Sequence, residues 1–521
     1  GGASATPDSN NDFGTSAPLS NHVPITDSLS DVDDMSDYYR VLVSSGDVLE
    51  VYLGMPVGTD FDLYLYDSSF NLITSSQGDN IATSTYSESI TITLFSPGYY
   101  FLEVAVYSGS GPYTIRASTT AEWTVMVYLD ADNNLENAGI TDFMEMSNVG
   151  SRDELNILVQ FDRIPGYDNA YGDWTSTNRY HVRQGMTPTA ANAVSALGEV
   201  NMGDPTALAS FINWGVDNYP ANRYMLVLWD HGGNWQGVCW DDTSGDNLAL
   251  VELRIAMDIV RSNHSGFSFD VIGFDACVMS GVEVLNEVCG YTDFIVASQL
   301  NEPGPGWNYQ VGLGVLAGAP TMNAYSFSLY MADAYVESYS VPYAGYYLAD
   351  VNMAVIDASK VQAMVTALDQ LASEMLSRMA YDHNYYQTAW DDSAKAYYDY
   401  PDLQDLLSNL MENAPTDPLR QKASSALNAT LATLEFYGFN EVSGGETAAD
   451  MNGIGIYFAE PGYFVNAYRT SALLFTSTSW DEMLLSYYTA VLQANDPVAI
   501  ASKSPISNPS MAAGSSLEFS V

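Results

Sequence analysis

Alternation of apolar and polar residues, broken by turn formers, governs the first part of the chain. Residues 38–43, 48–53, 62–66, 88–94, 99–106 and 113–117 read as short strands separated by Gly, Asp, Ser and Pro. Short strands at that spacing predict an antiparallel β-sandwich. Residues 1–30 are rich in Ser, Asn, Asp and Pro and show no period, so a flexible or partly ordered linker is expected there. From residue 122 the texture changes. Apolar runs at 123–129, 155–161, 223–229, 269–274 and 294–297 alternate with helical periods at 135–149, 206–218, 248–261 and 281–288. That alternation predicts an α/β domain on a mostly parallel sheet flanked by helices. An inserted hairpin is expected at 172–183, then a strand at 352–356, a long helix at 360–379, helices at 402–412 and 417–435, a strand at 453–458 and a closing helix at 480–492. The expected division is therefore 1–30, 31–119, 120–495, and a Ser- and Pro-rich tail at 496–521 that resembles the first strand of a truncated immunoglobulin-like module.

Two of the apolar runs carry the chemistry. Residues 225–228 and 271–274 are apolar without interruption, which a parallel strand covered on both faces requires. His231 follows the first and Cys277 the second, with a helical crossover between them. Ligands of such sheets bind beyond the carboxyl ends of the strands. The two side chains are thus expected side by side, as a cysteine nucleophile and its base, with Gly232 leaving room for a substrate backbone. A helix starting just after Cys277 would aim its positive end at the sulfur and favour the thiolate. The bland alternative is a core thiol and a structural histidine.

Order and wording of the motifs sharpen this. Trp123-Thr-Val-Met-Val-Tyr-Leu-Asp-Ala-Asp-Asn-Asn-Leu-Glu136, Asn201-Met-Gly-Asp-Pro205, Leu228-Trp-Asp-His-Gly232, Phe274-Asp-Ala-Cys277, and Val296-Ala-Ser298 with Glu302-Pro-Gly-Pro-Gly-Trp307 occur in sequence. In these the chain resembles the clostripain-like cysteine peptidases, the C11 family of the caspase and gingipain clan, over roughly residues 121–320 and more weakly to about 490. Asp37-Tyr-Tyr-Arg40, Thr59-Asp-Phe-Asp-Leu-Tyr-Leu-Tyr66 and Gly98-Tyr-Tyr-Phe101 resemble the pre-peptidase domain found with many secreted peptidases.

The resemblance implies a caspase-like (caspase-hemoglobinase) fold and a secreted or surface-attached cysteine endopeptidase. It implies Cys277 as nucleophile, His231 as general acid and base, and the amides of Gly232 and Cys277 as oxyanion donors. Asp275 matches a family position linked to the first substrate pocket, and residues 299–307, from Gln299 to Trp307, would form a pocket wall. The family mostly cleaves after Arg or Lys, which calls for a carboxylate in that pocket. An acidic residue is expected just after Val296-Ala-Ser298, where this chain has Gln299 and Leu300. Relatives are often stimulated by calcium, for which Asp130, Asp132, Asp241, Asp242 and Asp246 are candidate ligands, although the chemistry itself requires no cofactor. Relatives are also often activated by self-cleavage between the His and the Cys. Here that interval offers only Arg254 and Arg261, both on an expected helix, so either no processing or cleavage by another enzyme is expected.

Composition bounds the partners. With 64 acidic and 16 basic residues and a net charge of −48, the chain lacks the basic clusters that nucleic acid needs. Zinc is disfavoured by the absence of Cys-x-x-Cys or His-x-x-x-His. Three cysteines are too few for a disulfide framework, leaving Cys239 either free or paired with Cys289. No apolar run reaches membrane-spanning length. The opening Gly-Gly-Ala-Ser-Ala5 reads as a mature form whose export signal has been removed. Polypeptide substrates are the expected partners. The rival expectation is a catalytically silent cell-surface or adhesion protein, with assembly partners at the sandwich and the tail.

Overall fold

A computed structural model describes residues 9–80, 86–341, 346–397, 399–442, 448–460, 462–471 and 473–495. The chain forms two compact units. The tail at 496–521 lies outside the described residues.

The first unit holds the sandwich. One sheet runs β1 (Ala17–Pro18), β3 (Ser36–Val43), β8 (Gly98–Ser108), β5 (Asp60–Tyr66), β6 (Leu72–Ser76); the other runs β2 (Ile25–Leu29), β9 (Gly111–Ser118), β4 (Val48–Gly54), β7 (Ser87–Thr93). Alternation works as expected: along β4 the buried positions are Leu49, Val51 and Leu53, which join Tyr39, Val41, Phe61, Leu63, Leu102, Val104 and Ile115 in one core. The linker expected in the first 30 residues is corrected over part of its length. Ala17–Pro18 pairs parallel with Tyr39–Arg40, and Ile25–Leu29 pairs antiparallel with β9. These strands are short and lie at sheet edges, so pairing and the buried anchors Leu19 and Leu29 hold them without a visible period.

The second unit carries most of a nine-stranded sheet. Its order is β13 (Ser195–Gly198), β12 (Thr177–His181), β11 (Leu155–Arg163), β10 (Ala121–Ala131), β14 (Ala221–Trp229), β17 (Phe269–Asp275), β18 (Thr292–Ala297), β19 (Val351–Asp357), β22 (Leu434–Asn440). Strands β14, β17 and β18 are mutually parallel, while β12, β13, β19 and β22 add antiparallel edges. The central strands are buried along almost their whole length, which is why their sequences are apolar without alternation. Helices α1 (Glu136–Val149), α2 (Pro205–Asn218), α3 (Leu250–Asn263) and α4 (Val282–Val288) connect them.

Three expectations need correction. In place of a hairpin at 172–183 there is one strand, β12, paired with β11 on one side and β13 on the other. The apolar run 453–458 forms no strand, although Ile454, Ile456, Tyr457 and Phe458 are buried. Its backbone groups are met one at a time: Gly455 N–H donates to Ser280 O, Leu403 N–H to Ile454 O, and Tyr457 N–H to Glu283 Oε1. The sheet edge is taken instead by β22, whose first residues had been assigned to a helix. The long helix runs Ala358–Asp391, beyond its expected end, because Tyr386, Ala389 and Trp390 continue its buried face. Among the described residues no helix is long and apolar enough to cross a membrane.

Candidate active site

Register places the two reactive side chains together. Trp229, the last residue of β14, pairs with Asp275, the last residue of β17. Two residues beyond these strand ends come His231 and Cys277, and both line one cleft of about 310 Å³. Gly232 is the contact between the two turns. A Cβ there would lie 2.2 Å from the Cys277 carbonyl oxygen and 3.0 Å from its nitrogen, so only glycine fits. The cleft is also lined by Asn134, Asp230, Asp275, Glu302 and Gly306.

Each loop is pinned from beneath. Asp230 is buried; its Oδ1 accepts from Asn133 Nδ2 at 2.7 Å, and its Oδ2 accepts from the Trp240 amide. Asn134 Oδ1 lies 2.8 Å from His231 Nε2. With the carboxamide oxygen as acceptor, Nε2 carries the hydrogen and Nδ1 remains basic. Burial lowers the His231 pKa from its ordinary value, which favours neutral imidazole.

The expected helix at Cys277 is displaced. Residues 276–278 form a turn, and α4 starts only at Val282 and spans seven residues. Its dipole, felt within the first turn, is therefore not aimed at the sulfur. Val278, immediately after Cys277, has φ 56°, a left-handed conformation rare for a β-branched residue. It is held there by Val278 N–H to Leu300 O at 3.0 Å and by Asn234 Nδ2 to Val278 O at 3.2 Å. The Glu302 amide donates to Cys277 Sγ at 3.3 Å. Burial raises the thiol pKa, the Glu302 amide lowers it, and the carboxylates of Asp230 and Asp275 raise it further. The direction is upward, so the resting pair is a thiol and a neutral imidazole.

Carboxyl groups collect at the cleft floor. Asp275 is buried and accepts from the Trp307 amide at 3.2 Å and from Tyr309 OH at 2.9 Å. Its pKa is pushed up to about 6, mainly by burial. Both Glu302 carboxyl oxygens are buried, and the group abuts Asp275 and the Trp307 side chain. Burial and Asp275 hold Glu302 protonated, so the proton bridges the two carboxyls. Asp142, also buried, accepts from Trp229 Nε1 at 2.7 Å. Gly306, at φ 59°, closes over them: a Cβ would lie 2.8 Å from Asp275 Oδ1 and 3.3 Å from Asp142 Oδ2. The remaining pocket expectations fare differently. Gln299 is buried away from the cleft, binding Asp402 Oδ2 at 3.1 Å and the Gly453 amide at 2.9 Å. The Trp307 side chain is fully buried and absent from the cleft lining; it abuts Glu302 beneath the floor, and its amide donates to Asp275. The acidic residue expected just after Val296-Ala-Ser298 stands further on, at Glu302.

Among the candidate metal ligands the structure brings Asp132 and Asp241 together, with Asp162 and Glu199, which the sequence reading missed. Asp130 is buried beside this group but outside it. Asp242 and Asp246 are exposed; Asp246 Oδ2 accepts from Asn201 Nδ2 at 2.8 Å. Cys239, Cys277 and Cys289 are all free thiols, so the Cys239–Cys289 pairing is not formed. Arg254 and Arg261 lie within α3, Arg254 paired with Glu287 at 2.9 Å.

Comparison with known proteins gives the family and the fold. Residues 127–487 match the profile of the clostripain family, and residues 35–105 match that of the bacterial pre-peptidase C-terminal domain. Clostripain of Hathewaya histolytica is 27% identical over 419 residues, covering 68% of this chain and 78% of its own. A secreted C11 cysteine protease from Bacteroides thetaiotaomicron, solved with an irreversible peptide inhibitor, superposes with a TM-score of 0.52 at 19% identity over 69% of this chain and 99% of its own. An inactive zymogen C11 protease from Parabacteroides distasonis gives 0.50 at 17% identity over 70% and 98%. A cysteine and a histidine at adjoining strand ends, on a caspase-like sheet matched by the family profile over most of its length, identify the chain as a member of the clostripain (C11) family of cysteine peptidases.

Proposed function

We propose that the protein is a secreted endopeptidase that cleaves after Arg or Lys through His231 and Cys277. The observation that carries the reading is one cleft lined by Cys277, His231 and two carboxyl side chains of the floor, Asp275 and Glu302. His231 Nδ1 takes the Cys277 proton as sulfur bonds to the scissile carbonyl carbon. Charge develops on the carbonyl oxygen, for which the amides of Gly232 and Cys277 are the donors. The neighbouring amides are engaged: Gly233 N–H donates to Gly237 O and Val278 N–H to Leu300 O. Protonated His231 then delivers the proton to the leaving amine, and water hydrolyses the thioester by the reverse sequence. Asn134 holds the imidazole in the required tautomer.

Specificity follows from charge in a desolvated pocket. A guanidinium or ammonium entering the floor replaces the proton shared by Asp275 and Glu302, so both carboxyls ionise against it. A neutral side chain cannot drive that ionisation. Secretion is supported by the named Bacteroides relative and by the pre-peptidase domain. The test is turnover of fluorogenic peptides varied at the residue before the scissile bond, by wild type and Cys277→Ala. Cleavage after Arg or Lys, lost in the variant, is expected. Cleavage surviving Cys277→Ala removes the nucleophile assignment, and cleavage only after other residues removes the acidic pocket.

A further inference from the structure

The cleft has a second wall that the chemistry does not use. Sheet order β14, β17, β18, β19 sets His231 and Cys277 on one side and the chain leading into β19 on the other. Antiparallel pairing of Ala297 with Ala354 brings the start of β19 to the carboxyl edge of β18, and Tyr347, Ala349 and Asp350 line the same cleft as the reactive pair. Neighbouring strands stand about 4.8 Å apart, so β19 lies roughly 10 Å from β17. His231 delivers its proton to the leaving amine, so that half of the substrate lies on the His231 side. The acyl half then runs across β18 toward β19. An extended peptide advances about 3.3–3.6 Å per residue, which brings the second or third residue before the scissile bond level with Asp350.

This wall is held in place. Tyr346 OH donates to Trp307 O at 3.1 Å, Asn440 Nδ2 to Ala349 O at 2.8 Å, and the Val442 amide to Asp350 Oδ1 at 2.5 Å. The half-exposed Tyr347 ring meets Tyr339 edge-on at 6.2 Å, and Tyr339 OH donates to Gly306 O at 2.9 Å. Other carboxyls of the lining are committed: Asp230 accepts from Asn133 and the Trp240 amide, and Asp275 and Glu302 share a proton. Asp350 is half-buried, and its Oδ2 meets no donor among the described residues. The described cleft lining includes no Lys or Arg. A carboxylate oxygen left to water beside an open phenol ring suits a guanidinium or ammonium, which gains an ion pair and a cation–π contact at once. An apolar side chain there would desolvate the carboxylate without replacing its hydrogen bonds.

We propose that Tyr347 and Asp350 form a second cation subsite, which takes Arg or Lys at the second or third residue before the scissile bond, so that the preferred substrates carry closely spaced basic residues. The subsite deepens the peptidase reading and rests on it. It is separate from the acidic floor, because Asp350 belongs to the chain entering β19 whereas Asp275 and Glu302 follow β17 and β18.

The test uses fluorogenic peptides with Arg before the scissile bond and either Arg or its neutral isostere citrulline at the second or the third position, turned over by the full chain. Wild type, Asp350→Asn, Tyr347→Leu and the double variant are compared by the Arg-to-citrulline ratio in kcat/KM, which each protein supplies as its own reference. Wild type should favour Arg by about 3- to 30-fold at one of the two positions, the combined worth of a half-exposed ion pair and a cation–π contact. The ratio should fall in Asp350→Asn, whose amide oxygen still accepts from Val442, and approach one in the double variant. Added salt should lower the wild-type ratio toward that of Asp350→Asn. If Asp350→Asn does not fold, Tyr347→Leu, at a half-exposed ring, decides by the same ratio. A wild-type ratio near one at both positions, or a ratio undiminished in the folded variants, overturns the subsite and leaves Asp350 as a tie between the cleft wall and the Val442 amide. Failure of the acidic floor is seen separately, as cleavage without preference for Arg at the first position. The peptides then carry the residue that wild type accepts there, and the second ratio decides the subsite as before. No cleavage of any peptide overturns the peptidase reading and the subsite with it.

Discussion

Replacing Glu302 by Gln separates the charge of the cleft floor from its shape. In the free protein Glu302 is held protonated by burial and by Asp275, and its hydrogen bridges to that carboxylate. A Gln side chain keeps a donor toward Asp275 and nearly the same volume, so the fold and the floor are preserved. What it removes is the second negative charge that appears when a guanidinium binds. A hydrogen bond to a charged group is worth about 1.5–3 kcal/mol net. At about 1.36 kcal/mol per factor of ten, that corresponds to roughly a 13- to 160-fold loss in kcat/KM. The assay is a pair of fluorogenic peptides identical except for Arg or the neutral isostere citrulline before the scissile bond. Wild type should prefer Arg, and Glu302→Gln should cut that preference by the stated factor while leaving citrulline cleavage unchanged. The pH profile has a definite sign. Asp275, raised to about 6, is ionised above that value, so the Arg preference should be complete above it and decay as pH falls through it. An Arg-to-citrulline ratio unchanged in Glu302→Gln, or equal losses on both peptides, would refute the acidic-floor argument.

Two further outcomes follow from the geometry. Gly232→Ala places a methyl group 2.2 Å from the Cys277 carbonyl oxygen, so the turn carrying the sulfur must move by more than an ångström. A displacement of about 1 Å costs about 100-fold in rate, and kcat should fall at least that much with a lower Tm; activity within a few-fold of wild type would sink the packing claim. The raised Cys277 pKa predicts that inactivation by iodoacetamide keeps accelerating above the ordinary thiol value near 8.5, with no plateau around neutrality. A plateau already reached below pH 7 would mean a resting thiolate–imidazolium pair and overturn the thiol–imidazole assignment.

Apolar runs and strand ends were enough to place His231 and Cys277 side by side, because burial on both faces is written locally in residues 225–228 and 271–274. The alternating strands of the sandwich were legible for the same reason. Other assignments depended on partners distant in the chain. Residues 453–458 look like a strand, but their backbone groups are satisfied by Ser280, Glu283 and Leu403, so an isolated segment replaces a ladder. Gln299 occupies a position where an acid was expected, and the carboxyl arrives from Glu302 because the following loop folds back over Asp275. Asn134, 97 residues before His231, reveals its role only through a 2.8 Å contact. The four carboxylates at 132, 162, 199 and 241 come from separate strand ends and share no spacing that a sequence period could display. Local pattern determined which segments are buried and where the reactive side chains emerge. Strand order and loop return decided which charges meet, since burial is a property of neighbouring residues whereas electrostatic pairing depends on distances set only when remote segments pack.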